Sequence, residues 1–173
     1  IEEYRTKARL QPGNAQAWLL QATLHSVRGD YVAAQKACGK LLGKVPALLS
    51  GSCSSSVQAR QGQAQRAYAL LAKLYEQTAS AQNDPGILHH AQVSLADIAD
   101  QLGNPVAAKW WAQARQSRPG DLYTRIGAAR NAFHRGKRAA IAECVRNSLS
   151  ARANGAGATG GRHKAQPRCR KGW

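Results

Sequence analysis

The 173-residue sequence predicts an all-α chain, a solenoid of helix-turn-helix repeats with a disordered basic C-terminal tail. Three observations predict it. Apolar residues recur at three- and four-residue steps over most of the chain, the period of one helix face. Glycines punctuate those stretches at a repeated interval: Gly29 to Gly62 is 33 residues, and so is Gly103 to Gly136. Prolines mark the alternate break, with Pro12 to Pro46 and Pro85 to Pro119 both 34 residues. A period of this size belongs to a helix pair that cannot hide its apolar side alone and must stack on its neighbours.

Residues 1–12 read as the second helix of a preceding repeat, entered midway, with Tyr4, Ala8 and Leu10 facing inward. The first full repeat, about 13–46, is the clearest. Trp18 and Leu24 share one face of its first helix, Ala22 is small where the helices meet, and Ala34, Cys38 and Leu41 line the second. Gly29 suits a left-handed helix C-terminus, and Asp30 can cap the next start. The second repeat, about 47–83, opens on Leu48, Leu49, Gly51 and a serine run, 54–56, that propensity alone assigns to a loop. The register of Gly62 and Ala67, which follow as Gly29 and Ala34 do, assigns it to a helix. Its partner helix carries Ala67, Leu70, Leu71, Leu74 and Tyr75 on one side.

The period then slips, since Gly62 to Gly103 is 41 residues, and the excess falls between Thr78 and Gly86. Asn83-Asp84-Pro85 there is a helix start, with proline tolerated in the first turn. The third repeat, 84–119, has Leu88, Ala91, Leu95, Ile98 and Leu102 on its first helix, then Ala108, Trp111 and Ala114 on the second. One ring of the Trp110-Trp111 pair is expected between repeats, with the other turned elsewhere, because neighbours on a helix lie about 100° apart. A fourth unit, 120–148, begins with Asp121, Leu122, Tyr123 and Ile126 and has its turn glycine at Gly136. From 149 to 173 periodicity is lost and almost nothing apolar is left to bury, so disorder is expected. The decay past Ile126 into arginine, alanine and glycine is also the look of GC-rich DNA read out of frame.

The stretch from Asn14 to Pro46, with Trp18, Ala22, Gly29-Asp30-Tyr31, Ala34 and Pro46, resembles the tetratricopeptide repeat (TPR). The resemblance implies a right-handed superhelix holding a peptide or helix of a partner protein in its concave groove. By position, the implied groove residues are Gln16, Leu19, Thr23 and Ser26 in the first repeat and Ser52, Ser56 and Arg60 in the second. His90, Val93, Asp97 and Asp100 follow in the third, then Tyr123 and Arg130 in the fourth. The basic residue and asparagine with which chaperone-binding members hold a terminal carboxylate are absent, because Leu19 and Thr23 stand there. A looser likeness, in the A-Y-A-L-L-A-K-L-Y run, the serine-rich helix and the cysteine pair, is to uncharacterised bacterial TPR proteins that are exported.

Net charge is +16 and uneven: residues 1–118 carry +6 and residues 119–173 carry +10. The basic end admits non-specific nucleic-acid binding through counterion release, but it lacks the interleaved aromatic residues of a dedicated site; a nucleic-acid-associated module using that tail, or an accessory subunit of an enzyme complex, are the alternatives to a peptide-binding scaffold. No apolar run approaches the roughly 18 residues of a membrane span. Ile1 and the absence of methionine lead to the expectation of a longer or processed product. His90, Asp97 and Asp100 share a helix face; a solvated polar face is the common meaning of that pattern, catalysis or metal binding the rare one. Cys144, Cys169 and His163 have no second ligand pair at zinc-type spacing. No phosphate loop, nucleophile elbow or metalloprotease helix occurs. The sequence therefore nominates no catalytic residue, no metal and no cofactor.

Cys38 and Cys53 lie equally far from the turn at Val45-Pro46, so their side chains can meet across it. Two small buried thiols are the alternative. A bond would close a loop worth about 3 kcal/mol and would point to an oxidising compartment, a periplasm or the exterior; free thiols would leave a cytoplasmic location. Intact mass spectrometry without reductant is expected to find this pair oxidised, and two alkylatable thiols at these positions would remove the argument for export.

Overall fold

The computed structural model describes residues 14–81 and 84–155, with side chains beyond Ala139 described only at Ala142 and Arg146. The expected half-repeat at 1–12 and the tail from 156 onward lie outside the described residues. The helices are α1 (Ala15–Val27), α2 (Tyr31–Gly39), α3 (Ala47–Gln58), α4 (Ala64–Thr78), α5 (Pro85–Gln101), α6 (Ala107–Ser117) and α7 (Leu122–Gly155). A π-helical turn, Ala59–Gln63, joins α3 to α4, and a 3-10 turn, Ala79–Ala81, follows α4. Among the described residues there is no strand. The chain forms two compact units, Ile1–Ala128 and Ala129–Trp173, and α7 runs from the first into the second.

Within the first unit the helices pair as α1 with α2, α3 with α4, and α5 with α6, while α3 also meets α2 and α5. Each pair turns on a glycine in the left-handed region, Gly29 (φ 78), Gly62 (φ 87) and Gly103 (φ 64). At Gly29 and Gly103 the turn is a Schellman motif. Asp30 N–H donates to His25 O at 2.9 Å and Gly29 N–H to Ser26 O at 3.2 Å; Asn104 N–H donates to Ala99 O at 2.9 Å and Gly103 N–H to Asp100 O at 3.0 Å. These bonds use carbonyls that a helix end otherwise leaves unpaired.

The residue after the glycine decides how completely the chain breaks. Asp30 Oδ1 accepts from Ala33 N–H at 3.1 Å, and Asn104 Oδ1 accepts from Val106 N–H at 3.0 Å. Gln63 makes no such cap, and the chain passes Gly62 with only a kink and a π turn. Lys137 follows Gly136 and has no acceptor at all. There the chain does not turn, so the expected fourth hairpin over 120–148 is instead one helix of 34 residues. Its alanines and arginines are strong helix formers, and they carry the helix to Gly155, past the expected onset of disorder at 149.

The apolar faces close into two clusters. The first gathers Ala22, Ala34, Ala37, Cys38, Leu41, Cys53 and Val57, with Trp18 and Leu19 packed against it. The second gathers Leu48, Ala67, Leu71, Ala91, Leu95, Ile98, Ala107 and both tryptophans. Among the described residues most of those expected on an inner face are there; Leu24, Leu49 and Ala108 are half-buried outside both clusters, and Leu70 is 51% exposed. The serine-rich stretch is helical despite its propensity. Ser52 Oγ donates to Leu48 O at 2.7 Å and Ser50 Oγ to Ala47 O at 3.1 Å, so these two buried hydroxyls are satisfied within their own helix. Gly51 lies so close to Leu74 that a Cβ would collide with that side chain. Cys38 and Cys53 form a disulfide, with their Cα atoms 5.6 Å apart, which ties the first helix pair to the second.

Gly29 and Gly136 therefore make opposite demands. In urea unfolding, Gly29→Ala is expected to lose about 1 kcal/mol, through left-handed strain alone, since its added methyl meets nothing. Gly136→Ala is expected to gain up to about 1 kcal/mol from helix propensity. A loss at Gly136 would mean that a turn forms there.

Candidate partner-binding surface

The first helix of each pair was the expected source of groove residues, and their surroundings differ. On α1, Gln16 and Thr23 are exposed, Leu19 and Ser26 are half-buried, and Thr23 Oγ1 donates back to Leu19 O at 3.0 Å. Leu19 packs on the first apolar cluster. On α3, Ser52 is fully buried, so its side chain presents nothing to a partner; the groove role expected of it is not available. Its place in the helix turns it toward the interior, where only a small side chain fits. Ser56 is half-buried and Arg60 is exposed in the π turn.

On α5, His90 is exposed and Val93 packs against the second cluster. Asp97 and Asp100 are engaged with aromatic side chains. Tyr123 O–H donates to Asp97 Oδ2 at 2.6 Å, and Trp111 Nε1–H donates to Asp100 Oδ2 at 2.7 Å. Two of the expected groove residues, Asp97 and Tyr123, are thus brought together and bonded to each other. Tyr123 still exposes 53% of its surface. Arg130 is exposed and belongs to the second unit.

Both tryptophans are buried, and they face different neighbours. Trp110 Nε1–H donates to Tyr68 O–H at 3.0 Å, and its ring meets Tyr75 edge-on at 5.2 Å. Trp111 lies under Gly127, where any Cβ would enter its ring, and its centroid is 6.3 Å from that of Tyr123. The tryptophan doublet therefore anchors α6 to α4 on one side and to the start of α7 on the other.

A polar seam that sequence reasoning did not find, with His89, Gln92 and Thr124 buried and Ser117 at its exposed edge, lies beside these rings. Gln92 Nε2–H donates to Tyr75 Oη at 2.8 Å, and Ser117 Oγ donates to Gln92 Oε1 at 2.8 Å. His89 Nδ1 is 3.2 Å from both Ser117 Oγ and Ala114 O. His89 Nε2 is 3.4 Å from Thr124 Oγ1 and 3.7 Å from Asp121 Oδ2. The sequence drew attention to His90, its exposed neighbour, because that residue shares a face with Asp97 and Asp100. The available signal was the D-x-x-T spacing of Asp121 and Thr124 before a helix, together with His89 and Gln92 one turn apart on the side of Ala96.

Ser117, His89 and Asp121 are the residue types of a hydrolytic triad, but their wiring is that of a strut. The serine hydroxyl is turned to Gln92, and the histidine shares Nδ1 with a helix carbonyl. The Asp121 carboxylate takes the Thr124 hydroxyl at 2.6 Å and the Thr124 N–H at 2.8 Å. Ser117 also sits at the carbonyl end of α6, where a developing oxyanion would meet negative rather than positive dipole ends. Among the described residues no group of three or more His, Cys, Asp or Glu is placed to hold a metal ion, and no helix is long and apolar enough to cross a membrane. Cys169 and His163 lie outside the described residues. No protein-family model, no curated protein and no solved structure matches the chain.

Thr124 holds the Asp121 carboxyl below its ordinary range, first through its hydroxyl and then through its N–H, with attraction from His89 added and partial burial opposing. A depressed carboxylate stabilises the fold above its unfolded value and loses that contribution as pH falls through the folded one. The melting temperature is therefore expected to fall more between pH 6 and pH 3 for the native chain than for Asp121→Asn. Equal slopes would show that this cap carries no proton linkage.

Proposed function

We propose that the chain is a non-catalytic interaction scaffold, a right-handed solenoid of TPR-like helix pairs that binds a peptide or helix of a partner protein in its concave groove. The observation that carries this reading is the recurrence of a left-handed glycine, Gly29, Gly62 and Gly103, at the bend inside each of three successive helix pairs. Repeated pairs of this kind generate extended surfaces rather than a single enclosed pocket. The side chains left to a partner are the exposed Gln16, Thr23, Arg60, His90 and Tyr123. Leu19, Val93, Ser26 and Ser56 lend only part of their surface. Asp97 and Asp100 act through the aromatic side chains that they orient. Recognition by such a set is polar, and its strength comes from a few anchors, with Tyr123 and Arg60 of the favoured types.

The Cys38–Cys53 disulfide supports function in an oxidising compartment, the periplasm or the exterior. The basic residues concentrated after 119 support a second reading, a module retained on nucleic acid by its C-terminal end. One set of measurements separates the two. Peptides selected by random display on the oxidised full chain are expected to bind at least about tenfold more weakly to Arg60→Glu and to Tyr123→Ala. Their affinity is expected to be unchanged when the chain is cut after Leu149. Peptides indifferent to both substitutions, with salt-sensitive retention on DNA lost on the same truncation, would favour the nucleic-acid module.

A further inference from the structure

His89 is buried where α5, α6 and the start of α7 meet, and the oxygens facing its ring all accept. At Nδ1 stand the carbonyl of Ala114 and Ser117 Oγ, each 3.2 Å away. The one proton of Ser117 has nearer acceptors, Gln92 Oε1 at 2.8 Å and Ala114 O at 3.0 Å. At Nε2 stand Thr124 Oγ1 at 3.4 Å and Asp121 Oδ2 at 3.7 Å. The hydroxyl proton of Thr124, which is fully buried, goes to Asp121 at 2.6 Å. A neutral imidazole carries a proton on one nitrogen only. With that proton toward Ala114, Nε2 turns a lone pair to a carboxylate; with it toward Asp121, Nδ1 turns one to a carbonyl. Only the imidazolium donates on both sides.

The charged surroundings divide. The Asp121 carboxylate favours a charge on the ring, and so does the carbonyl end of α6, to which Ala114 and Ser117 belong. Burial opposes it, as does His90, the neighbour on α5. Arg118 and Asp84 both approach Gly86, one turn earlier, and offset each other. From α4 comes Tyr75, through Gln92, which adds no charge. The hydrogen-bond count decides between these. We propose that His89 is a proton-operated clasp: as an imidazolium it ties the last turn of α6 and the first turn of α7 to α5, and on losing its proton it releases the first turn of α7. Tyr123 rides on that turn and reaches Asp97, so acid fixes this side chain and rising pH loosens it. That consequence for a partner rests on the concave face being the binding groove; the clasp itself does not.

What the clasp contributes is present in acid and lost as pH rises through the range in which histidine changes charge, about 5 to 8. Burial acting alone has the opposite sign, since a desolvated imidazole resists protonation. Thr124 keeps Asp121 ionised across this window. The test uses the oxidised full chain with no partner present, so failure of the groove reading leaves it unmoved. Ring-nitrogen NMR shifts of His89 are expected to show both nitrogens protonated at pH 5.5 and only one at pH 8. Hydrogen-exchange protection of the amides of residues 125–128, corrected for intrinsic rates, is expected to be at least about tenfold higher at pH 5.5 than at pH 8. His89→Gln is expected to abolish that difference. Asp121→Asn, which can still cap α7 but carries no charge, is expected to lessen it. A neutral His89 ring at pH 5.5 would overturn the proposal. So would protection that is equal at the two pH values or lower in acid, or a difference undiminished in both variants. The ring shifts are read on the native chain, so the test holds even where a variant fails to fold.

Discussion

The fold of the first unit depends on how closely the serine-rich helix α3 lets its neighbours approach. α3 contributes to both apolar clusters, Cys53 and Val57 to one and Leu48 to the other. It serves both because it is thin: Gly51 admits Leu74, and Ser52 is fully buried beside Leu48. Thinness has a cost. Five serines and a glycine lose roughly 3 to 4 kcal/mol of helix propensity relative to alanine, and burial of Leu48 and Val57 returns a similar amount. α3 is thus a helix only in company, and the disulfide from Cys53 to Cys38 holds that company together.

The same dependence explains which features could be read from the sequence. The glycine interval located three turns, because a left-handed residue at a helix end is a local requirement that one residue type meets. It also nominated Gly136, where the structure has no turn. Spacing reports where a break is permitted; the following side chain determines whether it is stabilised, and Lys137 cannot do what Asp30 and Asn104 do. Small residues at Ala22, Ala34 and Ala67 announced where helices meet, and all three are buried. Leu70 misled because an amphipathic stripe has edges, and residue type does not say which edge meets a neighbour.

The site was less legible than the fold. A helix face computed from sequence groups His90, Val93, Asp97 and Asp100 correctly, but it is silent on what other helices bring to that face. Tyr123 and Trp111 come from α7 and α6 and take up the two carboxylates. Likewise, nothing in the order of residues shows that His89, Gln92, Ser117 and Thr124, drawn from three helices, converge on one seam. Long-range pairing of polar groups is fixed by packing, and the apolar pattern that guides sequence reading carries no information about it. Asp97 and Asp100 with Tyr123 and Trp111 thus brace the chain's own helices, while Gln16, Arg60 and His90 face outward.

The account stands on α3 being held by its neighbours and not by its own preference. Amide hydrogen exchange of the oxidised chain, set against a free peptide of residues 46–63, reads this directly. The account predicts that the peptide exchanges as an unstructured chain, while Ser52 to Val57 in the intact protein exchange only as slowly as the core of α5, around Leu95 and Ile98. Exchange of those α3 amides near the free-peptide rate, with α5 still protected, would contradict it.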